Sequence, residues 1–220
     1  MSASPGHPLL LGHRGARISD PRIPENSFAA FDLALNAGCD GFEFDVRCTR
    51  DRRLLICHDP EFMRKSVAET DYSDFHSGVC LDDVLTRYAS TAFLDIELKV
   101  AGMQDAVVAA LRDNPPKRGY FVSSFLSEVL LEVQSRDARI PLGFICDKKK
   151  ELEHWRTLPI QFLAPHHKLV SRELIEDVHA VGKKLFVWTV NDTRDMLRLA
   201  EWGVDALISD DPHLLRKTFL

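Results

Sequence analysis

Residues 41–49 read GFEFDVRCT, a stretch in which apolar and charged side chains alternate. Side chains along a strand point to opposite faces, so Phe42 and Phe44 share one face while Glu43 and Asp45 share the other. Buried carboxylates are unfavourable unless a cation accompanies them. The stretch predicts a barrel strand whose apolar face packs on helices and whose charged face lines the interior. The alternative is a salt-bridged polar stripe on an edge strand.

Residues 93–100, FLDIELKV, repeat the same design in a second strand. Its charged face carries Asp95, Glu97 and Lys99. Glu97 supplies a third carboxylate, and carboxylate oxygens suit a hard divalent ion such as Mg²⁺ or Ca²⁺. Lys99 is suited to hold an anionic group such as a phosphate. The alternative for this strand is a structural network of buried ion pairs.

Strand-like segments recur along the chain, separated by stretches with apolar residues at helical spacing. The strand candidates are residues 9–12, 41–47, 53–57, 93–99, 120–123, 141–145, 161–164, 185–190 and 206–209. Repeated strand–helix–strand units predict a parallel sheet with helices outside it. The turn at 50–52 is too short for a parallel crossover, so the second and third candidates form a hairpin. The remaining eight predict an α/β fold, a (β/α)8 TIM-type barrel in a single domain over residues 1–220.

Polar residues and glycines mark the expected helix boundaries. Ser127 and Ser171 are the expected N-caps of two helices, and Asn26-Ser27 precedes the first helix, whose cap we assign to Asn26. Glycines stand at three expected helix ends, namely Gly38, Gly182 and Gly203. Residues 60–82 have the least regular pattern and predict a small cap at the barrel mouth, either a lid or a plain loop.

Two histidines follow predicted strand ends. An apolar run ends in Gly12, His13 and Arg14, and the returning arm of the predicted hairpin ends in His58. Antiparallel pairing places His58 level with Glu43 or the residue after it. Barrels of this kind do chemistry at the carboxyl ends of their strands, where all these side chains converge. Two histidines, three carboxylates, a lysine and an arginine predict a metal-assisted phosphoryl-transfer site.

Composition excludes several other classes of protein. The 220 residues are 45% hydrophobic and carry a net charge of −5, which argues against a nucleic-acid partner. The five cysteines lack CxxC spacing, which argues against a disulfide framework or a zinc site and favours a reducing compartment. The sequence shows no secretory signal and no apolar run that could insert stably in a membrane. We therefore expect a soluble cytoplasmic protein.

Six short motifs resemble those of the glycerophosphodiester phosphodiesterase family. They are HRGA, PENS-x-x-AF, E-x-D-V-x-x-T-x-D, HDP, E-x-K and VWTVND, in the family's order between His13 and about Asp211. The resemblance implies a TIM-type barrel that hydrolyses a small-molecule glycerophosphodiester to glycerol 3-phosphate and an alcohol. Attack on phosphorus is either direct or passes through a cyclic 1,2-phosphate formed by the glycerol 2-hydroxyl.

The resemblance also implies roles for individual residues. The catalytic histidines, which divide the acid and base roles, correspond to His13 and His58. The ligands of one divalent metal ion, Mg²⁺ or Ca²⁺, correspond to Glu43, Asp45 and Glu97. The basic residues that contact the phosphate correspond to Arg14 and Lys99.

Three further residues carry two interpretations each. Glu25 is similar to a family acid near the metal, or else it only starts the helix that Asn26 caps. Trp188 resembles an aromatic residue that lines the glycerol side of the mouth, or else it packs in the core; Phe125 is a weaker case of the same kind. Asp59 either orients the ring of His58 or starts the turn that follows.

Two departures from the family pattern concern the mouth. Arg52 follows Asp51 where the family often has glycine, which predicts a different turn type. The 38 residues between His58 and Glu97 form a shorter insertion than the family usually has. A smaller cap leaves the mouth open to bulkier alcohols, so the alternative activity is phospholipase D-type cleavage of lysophospholipids. A non-catalytic, phosphodiester-binding barrel is disfavoured because every expected position is filled.

Overall fold

The computed structural model describes residues 7–18 and 22–220. Its strands are β1 (Leu9–Gly12), β2 (Gly41–Cys48), β3 (Leu54–Ile56), β4 (Glu61–Phe62), β5 (Lys65–Ser66), β6 (Phe93–Leu98), β7 (Tyr120–Ser124), β8 (Leu142–Cys146), β9 (Phe162–Pro165), β10 (Lys184–Val187) and β11 (Ala206–Ser209). Its α-helices are α1 (Phe28–Asn36), α2 (Leu81–Tyr88), α3 (Gln104–Asp113), α4 (Ser127–Arg136), α5 (Lys149–Leu152), α6 (Arg172–Ala180), α7 (Thr193–Trp202) and α8 (Pro212–Thr218). Residues 1–6 lie outside the described part, so the prediction that they form no secretory signal concerns residues that the structure does not describe.

Eight parallel strands close into a barrel. The order of pairing runs β1-β11-β10-β9-β8-β7-β6-β2, and β1 also pairs with β2, so the sheet has no open end between them. The hairpin strand β3 adds antiparallel to β2, with Val46 opposite Ile56. The predicted TIM-type barrel with a hairpin excursion is confirmed. The strand predicted at residues 185–190 ends earlier, at Val187. Trp188, the next residue, makes only an isolated bridge to His166.

The two faces of β2 divide as the alternation predicts. Phe42 and Phe44 pack outward on Phe31 of α1, with ring centroids 4.2 and 5.8 Å away. Glu43 and Asp45 point into the barrel and are 4% and 0% exposed. The apolar face of the strand therefore packs on the surrounding helices, and the carboxylates lie inside the barrel.

Aromatic rings fill the lower part of the barrel. Phe121 stacks on Phe162 at 4.4 Å and meets Phe186 edge-on at 5.2 Å. Gly143 leaves room for this packing, since a Cβ there would lie 2.5 Å from the Phe121 ring. With its base closed by apolar contacts, the barrel has room for polar chemistry only toward the carboxyl ends of its strands.

The segment after β3 folds back onto the hairpin. The β4–β5 hairpin and a 3-10 helix at Tyr72–Asp74 enclose a small apolar cluster that includes Leu55, Val67 and Phe75. Arg52 in the β2–β3 turn has a φ of 67°, in the left-handed region that favours glycine. The segment is a small cap; its action as a lid stays a prediction.

Two of the predicted helix caps are wrong. Ser27, not Asn26, caps α1: its backbone is extended and its Oγ accepts a hydrogen bond from the Ala30 amide at 3.2 Å. Asn26 has a φ of 56° and turns its side chain into the barrel instead. Ser127 is already inside α4, where Leu126 occupies the cap position. The cap at Ser171 and the left-handed glycine at Gly203 are confirmed.

Two glycines allow the chain to turn sharply after β1. A Cβ on Gly12 would lie 1.9 Å from the Gly15 carbonyl oxygen. Gly15 has a φ of 81° and lies against the backbone of Ala30. The tight turn explains why an apolar strand ends in a glycine-flanked histidine and arginine: it presents both side chains at the mouth.

Gly12→Ala is therefore expected to destabilise the fold by about 3 kcal/mol or more, as overpacking against fixed backbone does. The matched control is Gly182→Ala, where φ is 72° but a Cβ would meet nothing within 4 Å. Its cost should be about 1–2 kcal/mol, from the left-handed backbone alone. Urea denaturation of both variants measures the difference; equal losses would contradict the steric account of the turn.

The described residues include no helix that is long and apolar enough to cross a membrane. All five cysteines are free thiols.

Candidate active site

A cavity of about 120 Å³ opens at the carboxyl ends of the barrel strands. Its lining includes seven of the nine residues predicted for the site, namely His13, Arg14, Glu43, His58, Glu97, Lys99 and Trp188. The other two contact lining residues, since Asp45 lies 3.3 Å from Lys99 and Glu25 lies 2.8 Å from Arg14. The fold thus brings the nine predicted residues into one connected group, which the ends of several strands contribute.

Three carboxylates meet inside the barrel. Oxygen atoms of Glu43, Asp45 and Glu97 lie within 4.8 Å of one another, and all three residues are buried. Strand register explains the meeting, because β2 and β6 pair with Asp45 beside Glu97. Glu43 Oε1 and Asp45 Oδ1 are buried and have no hydrogen-bond partner. The cluster therefore offers two oxygen atoms that no hydrogen bond occupies, one of which lies 3.3 Å from Lys99 Nζ.

Two cations partly neutralise these carboxylates. Lys99 Nζ lies 2.6 Å from Glu97 Oε1 and 3.3 Å from Asp45 Oδ1, and Arg14 Nε lies 3.4 Å from Asp45 Oδ2. Burial alone would raise the pKa of Asp45, but the charges of Lys99 and Arg14 outweigh it and hold that pKa below its usual value. Two cations beside three carboxylates leave excess negative charge when all three are ionised.

The remaining two carboxylates are hard to ionise. Burial raises the pKa of Glu97 to about 7, and the charge of Asp45 adds to the rise. Burial, followed by the charges of Asp45 and Glu97, raises the pKa of Glu43 well above its usual value. A divalent cation would relieve this repulsion and use the unshared oxygens. All-oxygen donors of this kind suit Mg²⁺, Ca²⁺ or Mn²⁺. The residues present therefore fit a divalent metal ion.

Arg14 is fixed by contacts to both its backbone and its side chain. Its amide donates to Glu43 Oε2 at 3.0 Å, and its φ of 50° is in the left-handed region. Its guanidinium donates to Glu25 Oε1 at 2.8 Å, while Arg17 reaches the other oxygen of Glu25 at 3.1 Å. Glu25 thus orients Arg14, and its role as an acid near a metal stays a prediction. It stands three residues before α1, whose cap is Ser27 and not Asn26.

Each histidine has an aspartate partner. His13 Nδ1 lies 2.6 Å from Asp210 Oδ1, and its Nε2 lies 3.7 Å from Glu43 Oε2. His58 Nδ1 lies 2.8 Å from Asp59 Oδ1, a contact at the surface of the mouth. The Cys57 amide donates to the Asp45 carbonyl at 3.0 Å, which continues the hairpin and returns His58 to the carboxylates.

Polar residues beneath the cluster hold it in place. Asn26 donates to Asp45 Oδ2 at 2.8 Å and accepts from the Asp45 amide at 3.3 Å. Ser123 donates to Asp95 Oδ1 at 2.5 Å. Burial raises the pKa of Asp95 well above its usual value. These contacts leave Asp45 with one oxygen bound to the scaffold and one directed at the cluster.

The opposite wall of the cavity is apolar. Phe125 and Trp188 meet edge-on, with centroids 5.6 Å apart, and Ile145, Ala164 and Ile208 complete the wall. The indole Nε1 donates to the Ala164 carbonyl at 2.8 Å, so it is not available to a ligand. Trp188 and Phe125 therefore line the mouth, and contact of either ring with a glycerol group stays a prediction.

Sequence reasoning missed four polar residues of the site. Asn26 was assigned to a helix cap, and Asp210, Asn191 and Arg17 received no role. Asp210 follows β11 directly, so the rule that strand ends carry the chemistry could have found it. Asn191 stands in the VWTVND motif, so the motif could have pointed to it as well, whereas Arg17 follows no predicted strand end and offered no comparable signal.

Known proteins resemble this chain over nearly its full length. The model of the glycerophosphoryl diester phosphodiesterase family matches residues 13–91 and 95–214. A glycerophosphodiester phosphodiesterase from Caldanaerobacter subterraneus subsp. tengcongensis is 28% identical over 235 residues, covering 94% of this chain and 96% of that protein.

Solved structures share the barrel. A glycerophosphodiester phosphodiesterase from Agrobacterium tumefaciens superposes with a TM-score of 0.82 at 25% identity, covering 96% of this chain and 98% of that one. A phosphodiesterase from Oleispira antarctica, in complex with the product sn-glycerol-3-phosphate, superposes with a TM-score of 0.83 at 23% identity, covering 96% of both chains.

Proposed function

The chain belongs to the glycerophosphoryl diester phosphodiesterase family, and we propose that it hydrolyses glycerophosphodiesters to glycerol 3-phosphate and an alcohol in a metal-dependent reaction. Membership of the family makes it a phosphoric diester hydrolase. The observation that carries the proposal is a single cavity lined by His13, His58, Arg14, Lys99 and the buried carboxylates.

The carboxylates Glu43, Asp45 and Glu97 would hold one divalent cation, Mg²⁺ or Ca²⁺. When bound, such an ion polarises phosphate oxygens and offsets charge that develops on them. Arg14 and Lys99 act on the same charge from the protein. Both cations are partly buried, and neighbouring carboxylates outweigh burial to raise the pKa of each above its usual value. Both side chains therefore stay charged during turnover.

The two histidines divide the proton transfers. One imidazole accepts a proton from the group that attacks phosphorus, and the other donates a proton to the departing alcohol oxygen. The side chain of His13 is 13% exposed and that of His58 is 34% exposed, so both have access to the cavity. The apolar wall of Phe125 and Trp188 receives an organic part of the diester.

Phosphorus NMR of products formed from glycerophosphocholine tests the proposal. The enzyme is assayed with Mg²⁺, Ca²⁺ or Mn²⁺, and glycerol 3-phosphate is the expected product. Phosphocholine as the product, or no reaction with any of the metals, would contradict it. Release of choline from lysophosphatidylcholine at a higher kcat/KM than from glycerophosphocholine would instead support the alternative lysophospholipid activity.

Trp188→Leu is expected to raise KM for glycerophosphocholine by about tenfold, since an aromatic contact contributes about 1.4 kcal/mol to binding. The indole Nε1 is already bound to the Ala164 carbonyl, so the ring offers only apolar contact and kcat should change by less than about twofold, the pattern of lost uniform binding. Trp202→Leu at the end of α7 is the matched control, because its ring packs between Arg172 and Arg198 outside the cavity. Equal changes in both variants would argue against the wall.

A further inference from the structure

Asp210 is a buried carboxylate at the mouth to which the proposed chemistry gives no task. It directly follows β11 and is 5% exposed. Its Oδ1 lies 2.6 Å from Nδ1 of His13. The two residues are separated by almost the whole chain and meet because β1 pairs with β11, the His13 amide donating to the Ser209 carbonyl at 2.7 Å.

The second carboxylate oxygen of Asp210 is bound as well. Asn191 Nδ2 donates to Oδ2 at 2.6 Å, and Arg17 lies 3.6 Å from the same oxygen. Asn191 is itself fixed, since its Oδ1 accepts from the Asp210 amide at 2.9 Å and from Ser209 Oγ at 3.0 Å. The carboxylate therefore cannot rotate without breaking several contacts, and Oδ1 is held toward His13.

Electrostatics keep this carboxylate ionised. Burial alone would raise the pKa of Asp210, but the hydrogen bond and charge of His13 and the hydrogen bond of Asn191 outweigh it and lower that pKa. An ionised carboxylate can only accept hydrogen bonds. Nδ1 of His13 therefore carries a proton, and Nε2 is the nitrogen free for chemistry.

We propose that Asp210 is the positioning residue of His13: it fixes the tautomer and the orientation of the ring so that Nε2 faces the reacting phosphodiester. The inference rests on the proposed function, because that function uses His13 as an acid or a base. Asp210 does not touch the substrate and transfers no proton itself. Asn191 and Arg17 serve the same end by holding Asp210.

The other histidine lacks an equally rigid partner. The side chain of Asp59 is 73% exposed, so water competes for its bond to His58. Exposed polar contacts of this kind contribute less than buried ones. Positioning by a fixed carboxylate is therefore a property of His13.

Asp210→Asn keeps the shape of the buried side chain but replaces one of its two acceptor oxygens by an NH₂ donor, so it tests the hydrogen bond to His13. Asn191 presents an amide donor toward Oδ2, so the amide oxygen of the new side chain must turn to Asn191 and its NH₂ must turn to His13 Nδ1. That arrangement favours the other His13 tautomer. In the serine protease triad the equivalent change lowers kcat by about 10⁴-fold. We expect kcat to fall by at least about 10²-fold here, with KM changed by less than about threefold.

The matched control is a second aspartate–histidine pair at the other end of the same strand. Asp205 Oδ2 lies 2.9 Å from His179 Nε2 and accepts from the Leu185 amide at 2.8 Å. Asp205→Asn therefore disturbs a comparable contact outside the cavity. Its kcat should stay within about twofold of the wild type even if its melting temperature falls.

A rescue variant tests the hydrogen-bond logic directly. In the double variant Asp210→Asn with Asn191→Asp, the new carboxylate accepts from the NH₂ of residue 210, which returns its amide oxygen to His13 Nδ1. The kcat of the double variant should be at least about tenfold higher than that of Asp210→Asn. Two independent losses of function would instead add, so a double variant slower than Asp210→Asn would overturn the proposal.

Nitrogen-15 NMR of the histidine side chains gives a readout that does not depend on activity. The wild type should show His13 with Nδ1 protonated, assigned by the signal that disappears in His13→Gln, and Asp210→Asn should change that pattern. A wild-type His13 with unprotonated Nδ1, or wild-type kcat in Asp210→Asn, would overturn the positioning role. Failure of the wild type to hydrolyse any glycerophosphodiester would contradict the proposed function instead, while the NMR result would still decide whether Asp210 sets the tautomer.

Discussion

Replacing His13 by alanine is expected to lower kcat for glycerophosphodiester hydrolysis by about 10²- to 10⁴-fold, the contribution typical of a general acid or base. The imidazole lines the cavity and stands 3.7 Å from Glu43, beside the carboxylate cluster. Its removal deletes one of the two proton-transfer groups while the cations remain. KM should therefore change much less than kcat, because the phosphate is still bound by Arg14 and Lys99.

Steady-state kinetics with glycerophosphocholine measure this effect. His179→Ala is the matched control, since that histidine also pairs with an aspartate but lies outside the cavity. The control should keep the wild-type kcat. Thermal melting of both variants shows whether the fold survives. A His13→Ala enzyme that is folded and retains more than about a tenth of the wild-type kcat would contradict the assignment of His13 as a catalytic residue.

Glu43→Gln is expected to change stability in opposite directions with and without metal. In the metal-free protein, Glu43 is buried beside two other carboxylates, which raises its pKa and makes its ionised form unfavourable. Glutamine removes that charge and keeps an oxygen to accept from the Arg14 amide, so the metal-free variant should melt at a higher temperature than the wild type. Stability gained by removing a strained functional group is common.

Metal addition should reverse this order. A ligand that binds only the folded state adds about 2.7 kcal/mol to the free energy of unfolding when its concentration is about 100 times its Kd. The wild type should gain this stabilisation from its preferred divalent ion, whereas Glu43→Gln should lose most of it together with its activity. Glu176→Gln, on an exposed face of α6, should behave as the wild type in both states. A Glu43→Gln protein with an undiminished metal-dependent rise in melting temperature would contradict the role of Glu43 as a ligand.

The barrel could be predicted because its signals are local. Alternation in β2 and β6 gives the strands and their inward faces, and the short turn at 50–52 identifies the hairpin without any tertiary information. The same period places Glu43, Asp45 and Glu97 on interior faces. Pairing of β2 with β6 then brings them together, which the parallel architecture implies.

The strand-end rule points to the Asp210–Asp211 pair, but the contacts of the supporting residues could not be predicted because they depend on closure of the barrel. Asp210 meets His13 only where β11 pairs with β1, and the sequence offers Asp211 beside it as an equal candidate. The structure separates them: Asp210 binds His13, whereas Asp211 accepts from the Leu214 amide at 3.0 Å and caps α8. Asn26 and Ser27 are likewise both good capping residues, and only the left-handed φ of Asn26 decides which one faces Asp45.

The central claim is that the buried carboxylates and the histidines of the mouth form one metal-dependent phosphodiesterase site. The most direct test strips the protein with EDTA, removes the chelator, and follows release of glycerol 3-phosphate from glycerophosphocholine as Mg²⁺, Ca²⁺ or Mn²⁺ is added back. We expect no turnover in the stripped enzyme, and restoration by at least one ion in the wild type but not in His13→Ala. Full turnover by protein that elemental analysis shows to be free of metal would contradict the claim.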